Sequence, residues 1–274
     1  VLYSIVDRMY IGNIPQVGEV ALAGAGVCGP IVTLISSFAF LVGIGGAPLM
    51  AIRMGEDNQE GAQKILANCF VMLLALSAAL TGLAIAFREP MLMVFGASEQ
   101  TFPYANSYLT YYVMGTVFAI LTAGLNQFIT CQGFANEAML TTIIGAVMNI
   151  ILDPIFIFAL DMGVTGAAIA TVAGQILAML YAVYVMVRKE HAVHITFKGF
   201  HFSGAIVRDI FQVGFPSIIM QSIGSVMIMA LNNILIVFSQ AAVAVLGVYF
   251  KLQSFVFMPV FGLGAGALPI MGFN

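Results

Sequence analysis

Five stretches of this 274-residue chain contain no Asp, Glu, Lys or Arg: Val20 to Ile52, Ile65 to Phe87, Gln100 to Asn136, Met162 to Val187 and Ile210 to Phe250. Each meets or exceeds the roughly 20 apolar residues that cross a bilayer as a helix. Shorter apolar runs on either side of Asp153 add another span. A transmembrane β-barrel requires short segments of alternating polarity, and these are absent. Charged residues make up only 8% of the chain and hydrophobic ones 61%, whereas a soluble domain carries roughly 25% charged residues to cover its surface. The fold class is therefore all-α: a polytopic transmembrane helical bundle with lipid as its main solvent.

Eight spans are expected, at 1–12, 20–52, 65–87, 104–130, 138–160, 164–188, 208–238 and 242–274. Turn chemistry separates them, as in Gly12-Asn13-Ile14-Pro15, Gly55-Glu56-Asp57-Asn58, Arg88-Glu89-Pro90, Gly133-Phe134-Ala135-Asn136 and Asp161-Met162-Gly163. Arg53 and Lys64 flank one loop, and Arg188, Lys189, Lys198 and Arg208 lie in or beside another. Alternating spans put both loops on one side, with only Arg88 opposite, so the basic loops face the cytoplasm and the first span runs outward. The longest polar stretch reads as a linker. It divides the chain into an amino-terminal lobe (1–188), a cytoplasmic linker (189–207) and the start of a carboxy-terminal lobe (208–274). A faint echo supports a parallel repeat: Ala21-Leu22-Ala23-Gly24 leads to a glycine-rich Pro48 segment, and Ala244-Val245-Leu246-Gly247 leads to a similar one at Pro269. The chain opens within an apolar segment and stops at Phe273-Asn274 without a polar exit, and it reads as a fragment.

The net charge of −3 offers nothing to nucleic acid. Cys28, Cys69 and Cys131 lack a paired spacing and are expected to pack as small hydrophobes. With no Trp in the chain, Tyr104, Tyr108, Tyr111 and Tyr112 are the candidate interface anchors of one helix. Gly24-Ala25-Gly26-Val27-Cys28-Gly29 matches a dinucleotide fingerprint in form. It lies in an apolar run with no strand before it, which points to close helix packing instead. His191, His194 and His201 fall in the linker, without the neighbours a metal site needs.

Ionisable groups at membrane depth are costly and mark functional positions. Four stand out: Asp7, Arg8, Asp153 and Lys251. Asp7 lies five residues before the outer end of its span and Asp153 about seven before its own. At 1.5 Å per residue, each sits roughly 7–11 Å below the outer surface. Asn149 shares a helix face with Asp153, four residues on, and Pro154 leaves a carbonyl near Ile150 without its amide partner. Thr171 enters from the outer end of the next helix at matching depth. This set of oxygens suits Na⁺ and equally suits a protonatable pair of acids. The bland alternative is that Asp153 satisfies a broken backbone and Asn149 makes a helix–helix hydrogen bond.

Val6-Asp7-Arg8-Met9-Tyr10-Ile11-Gly12 resembles the first-helix motif of the MATE (multidrug and toxic compound extrusion) family. Asn149 through Ile157 resembles its fifth helix, Gly163 through Thr171 its sixth, and Tyr249 through Pro269 is similar to the eighth helix of one bacterial branch. The match runs in order over the whole chain. The resemblance implies a secondary exporter of two six-helix lobes, exchanging drug-like organic cations for H⁺ or Na⁺ in a bacterial inner membrane. It implies a multi-pass monomer, not an enzyme, with no cofactor beyond the coupling ion. The amino-lobe cation site would be Asp7, Asn149, Asp153 and Thr171, which would be metal ligands if Na⁺ is the ion. Arg8 departs from the small or hydroxylated residue often found there. The seventh span offers Gln221, Asn232 and Asn233 but no acid, so it lacks a second-lobe carboxylate that some family members use. Lys251 joins Gln221 and Asn232 as a possible polar site. Its ammonium has three readings: pairing with an acid across the lobes, repelling cationic substrate, or snorkelling to the interface. The runner-up function is a lipid-linked oligosaccharide flippase of the same superfamily, which would need more cavity cations than Arg8 and Lys251.

Overall fold

The computed structural model describes residues 2–188, 193, 195, 201–235 and scattered positions between 249 and 271. The described elements are helical. They run α1 (Leu2–Gly12), α2 (Gly18–Gly55), α3 (Gln59–Ala86), α4 (Arg88–Val94), α5 (Phe102–Met114), α6 (Thr116–Cys131), α7 (Ala135–Pro154), α8 (Gly163–Arg188) and α9 (Gly204–Leu235). Helices α2, α3, α7 with its extension to Ala159, and α8 are each long and apolar enough to cross a membrane.

The expected 104–130 span is not one straight rod. Helices α5 and α6 meet at Gly115 with a bend of 55°. A side chain at Gly115 would collide with Val172 of α8, so the glycine lets the bend nest against its neighbour. Arg88-Glu89-Pro90, expected as a turn, opens the short helix α4. Proline is tolerated in a first helical turn, where its missing amide would have no partner in any case. The Asn58 carboxamide accepts from the Gly61 amide at 2.8 Å and caps α3. Most of the expected span at 242–274, most of the first part of the linker and Lys251 lie outside the described residues.

Pro154 cannot donate a backbone bond. Helix α7 widens there into a π-helical turn, Ile155–Ala159, in which the Leu160 amide donates to the Ile155 carbonyl at 2.9 Å. Such widened turns recur at functional sites. A side chain at Gly166 would lie 2.7 Å from the Phe156 backbone, so glycine lets α8 pack directly on this turn. Two to three turns further along the pair, α7 and α8 cross at glycines: a Cβ on Gly174 would sit 2.7 Å from the Gly145 carbonyl oxygen. Small residues at such crossings let membrane helices approach backbone to backbone.

Helix α2 is the spine of the bundle and packs on α3, α5, α6 and α9. Its Gly24 meets the Thr101 carbonyl and Tyr104 of α5, which is the close packing expected of that glycine-rich stretch. Cys28 adds a thiol bond to the Ala105 carbonyl at 3.3 Å, and all three cysteines are buried and free. Towards the side bearing Arg53 and Lys64, α2 also meets α9: side chains at Gly45 and Gly214 would run into the Ile210 and Leu41 carbonyls. The Ser203 amide donates to the buried Asn68 carboxamide at 3.1 Å, tying the start of α9 to α3.

Candidate cation-coupling site

The π turn and the glycine crossing bring the Pro154 end of α7 and the Gly163 end of α8 together, and α1 packs across both. The four residues expected from the sequence occupy this junction. Asp153 is fully buried, Asn149 is 2% exposed, and Asp7 and Thr171 are 8% exposed. The Asn149 Nδ2 donates to Asp153 Oδ1 at 3.1 Å and to Thr171 Oγ1 at 3.2 Å. Thr171 in turn donates to the Ala167 carbonyl one turn back at 3.0 Å. Asn149 therefore links the two helices, as a membrane helix–helix hydrogen bond does, and also fixes one oxygen of each neighbour. Asp7, on α1, lies within electrostatic reach of Asp153.

The bonds leave a remainder. Asp7 Oδ1, Asn149 Oδ1 and Asp153 Oδ2 are buried and accept no hydrogen bond. A buried acceptor without a donor costs about 1–3 kcal/mol, and more if it carries charge. Oxygens of this kind suit a hard cation or a proton. The described residues hold no group of three His, Cys, Asp or Glu that would make a transition-metal site.

Three residues that sequence reading did not place here extend the cluster. Tyr108 of α5 is buried near the Thr171 hydroxyl. Its ring stacks on Tyr112 at 6.1 Å with planes 12° apart. Gln175 of α8 donates to the Tyr112 hydroxyl at 3.4 Å. Both tyrosines are buried, so the expectation that they anchor a helix at the interface fails for them; only Tyr111 of the four is strongly exposed. Their i, i+4 spacing put them on one face, but nothing in a charge-free run says whether that face meets lipid or protein.

Arg8 is exposed and forms no ion pair, since those among the described residues are Arg53–Glu56 and Lys64–Glu60. Asn232 and Gln221 fall on α9, their side chains outside the described residues, so they and Lys251 are not brought into any site here.

A helical bundle that crosses the membrane repeatedly and buries two acids, an amide and a hydroxyl at one helix junction defines a multi-pass membrane protein with an internal polar cluster. The MatE family model matches residues 1–155, and the chain belongs to that family. The multidrug export protein MepA of Staphylococcus haemolyticus strain JCSC1435 is 26% identical over the whole chain, which covers 60% of that relative. A crystal structure of MATE in the bent conformation superposes with a TM-score of 0.92 at 27% identity, covering 99% of this chain and 61% of that one. The outward-facing conformation of a multidrug resistance MATE family transporter of the MOP superfamily gives 0.89 at 26% identity, again covering 99% of this chain and 61% of the other. The chain thus spans less than two thirds of the length of its relatives.

Proposed function

We propose that this chain forms the amino-terminal lobe and the start of the carboxy-terminal lobe of a secondary active multidrug exporter, working as a monomer in a bacterial inner membrane. It exports lipophilic, drug-like organic cations in exchange for H⁺ or Na⁺ by alternating access, with the lobes divided at 189–207. The observation that carries this reading is the trio of buried, unpartnered oxygens on Asp7, Asn149 and Asp153. They lie at a junction of three helices, where occupancy by a cation changes how α1 seats against α7 and α8. The names of the relatives support export of drugs.

From the outward-open state, the coupling ion reaches Asp7 and Asp153 and draws α1 onto the cluster. That movement lowers affinity for the organic cation, which leaves to the exterior. Coupling requires only that ion and drug differ in affinity for the two states. The close contact of α2 with α9 around Gly45 and Gly214 fits a cleft closed on the cytoplasmic side.

The test uses the full-length protein in liposomes, with efflux of a fluorescent organic cation driven by a proton gradient alone or a Na⁺ gradient alone. Efflux under one gradient, abolished by Asp153→Asn, is the expected result and names the ion. Folded protein that gives no efflux under either gradient would overturn the reading.

A further inference from the structure

Charge gathers at the turn between α2 and α3, and one acid beside it is unpaired. Arg53 Nη1 bonds Glu56 Oε2 at 2.8 Å on α2, and Lys64 bonds Glu60 at 2.7 Å on α3. Asp209, in the second turn of α9, is exposed and joins neither pair.

Arg53, Glu56 and Asp209 line one pocket of about 200 Å³, with Leu49, Ile52, Ile65 and Ile206 among its other walls. Three helices, α2, α3 and α9, therefore meet in it. A pocket for a drug-sized ligand holds roughly 300–1,000 Å³, so this one suits a small polar group rather than a whole drug. Its charges are one cation and two carboxylates. A guanidinium has five N–H donors, and the Glu56 bond occupies one of them. Arg53 keeps donors for an anion, and phosphate matches their planar fork. Asp209 and the second oxygen of Glu56 are acceptors only. They call for a cation with several N–H groups, such as a primary ammonium with its three.

The place of the pocket says where such a group comes from. Helices α2 and α3 are each long and apolar enough to cross a membrane, so the turn joining them lies at the membrane surface. Ile52 is 47% exposed next to Arg53. One and two turns along α9 from Asp209, Val213 and Pro216 are exposed on the same face. Because Gly45 meets Ile210 and Gly214 meets Leu41, α9 runs antiparallel to α2, and these two residues lie deeper than Asp209. The charged pocket thus opens above an apolar wall, which is the polarity of a phospholipid at a bilayer surface.

We propose that this pocket is a headgroup site for phosphatidylethanolamine, with the phosphate on Arg53, the ammonium between Asp209 and Glu56, and the acyl chains along Ile52 and the exposed face of α9. A quaternary ammonium has no N–H to give the two acids, and an anionic head meets their repulsion. One bound head ties α2 to α9 just above their glycine contacts. The site stands apart from the ion cluster and does not depend on the exporter reading.

The test titrates delipidated, purified full-length protein with dioleoyl lipids bearing ethanolamine, choline or glycerol heads, and counts bound lipid by native mass spectrometry. Wild type is expected to bind the ethanolamine lipid about tenfold more tightly than the choline lipid, on the scale of a charge-assisted hydrogen bond, with the glycerol lipid weaker still. Asp209→Asn should bring the ethanolamine-to-choline ratio close to one. Arg53→Gln should weaken both lipids alike, because both carry the phosphate. A general loss of folding would not separate the two variants in this way, and thermal unfolding without lipid monitors it. Equal binding of the three lipids by wild type, or a ratio unchanged in Asp209→Asn, overturns the proposal. Should Asp209→Asn fail to fold, an unchanged ratio in Glu56→Gln overturns it too. Free phosphoethanolamine that displaces the lipid at equal concentration would overturn the membrane source and leave a site for a soluble phosphoamine.

Discussion

At the residue scale, the site turns on how few donors meet many acceptors. Asn149 has one amino group, and it is already shared between Asp153 and Thr171. Its own Oδ1 and one oxygen on each acid remain bare. Asn149→Asp should therefore be far more damaging than Asn149→Ala, since it replaces the donor that links Asp153 and Thr171 with a third carboxylate. We expect purified Asn149→Asp to lose detectable ion-dependent dye release, and Asn149→Ala to keep it with an affinity for the ion reduced about tenfold, on the scale of one charge-assisted hydrogen bond. Tyr108→Phe removes a hydroxyl beside Thr171 while keeping the ring stacked on Tyr112. A shift of a fewfold in ion affinity without loss of transport is expected in the same dye-release assay. The quartet was legible in the sequence because an acid in an apolar run is an anomaly wherever it occurs. Tyr108, Tyr112 and Gln175 were not, because neutral residues in a charge-free run raise no such flag and their role depends on which face meets protein.

At the element scale, glycine does what charge does elsewhere in the chain. The α7–α8 crossing depends on Gly145 and Gly174, and these set the reach of Asn149 to Thr171. Gly174→Val should force the helices apart, costing about 1–3 kcal/mol in stability. It should also remove ion-dependent dye release even though no site residue is replaced; thermal unfolding of the purified protein checks the first and dye binding the second. Helix existence and order followed from the charge-free runs, and α1, α2, α3, α7, α8 and α9 lie close to where they were expected. The bend at Gly115 and the short helix α4 were not foreseen. A glycine within an apolar run and a proline near a helix start carry the same letters whether the chain bends, turns or continues, and the neighbour decides. For Gly115 that neighbour is Val172.

At the scale of the whole molecule, the proposed exporter needs its two lobes to part on the cytoplasmic side and close on the other. The contact that must break is visible as backbone packing between α2 and α9, with Asn68 holding the Ser203 amide. Gly214→Val should keep these helices from closing. The expected outcome is loss of efflux in liposomes with ion binding in the amino lobe retained, a separation that a mutation in the ion cluster itself would not give. The two-lobe plan came from the polar stretch after Arg188 and from resemblance rather than from periodicity.

The claim on which the rest depends is that Asp7 and Asp153 hold the ion whose binding expels the drug. It is tested most directly by titrating H⁺ and Na⁺ separately against a fluorescent substrate bound to the purified full-length protein, in wild type and in Asp7→Asn and Asp153→Asn. Displacement of the substrate by one of the ions in wild type, lost in both variants while substrate still binds, is expected. Displacement that survives unchanged in both variants would contradict the claim and place the coupling site elsewhere in the molecule.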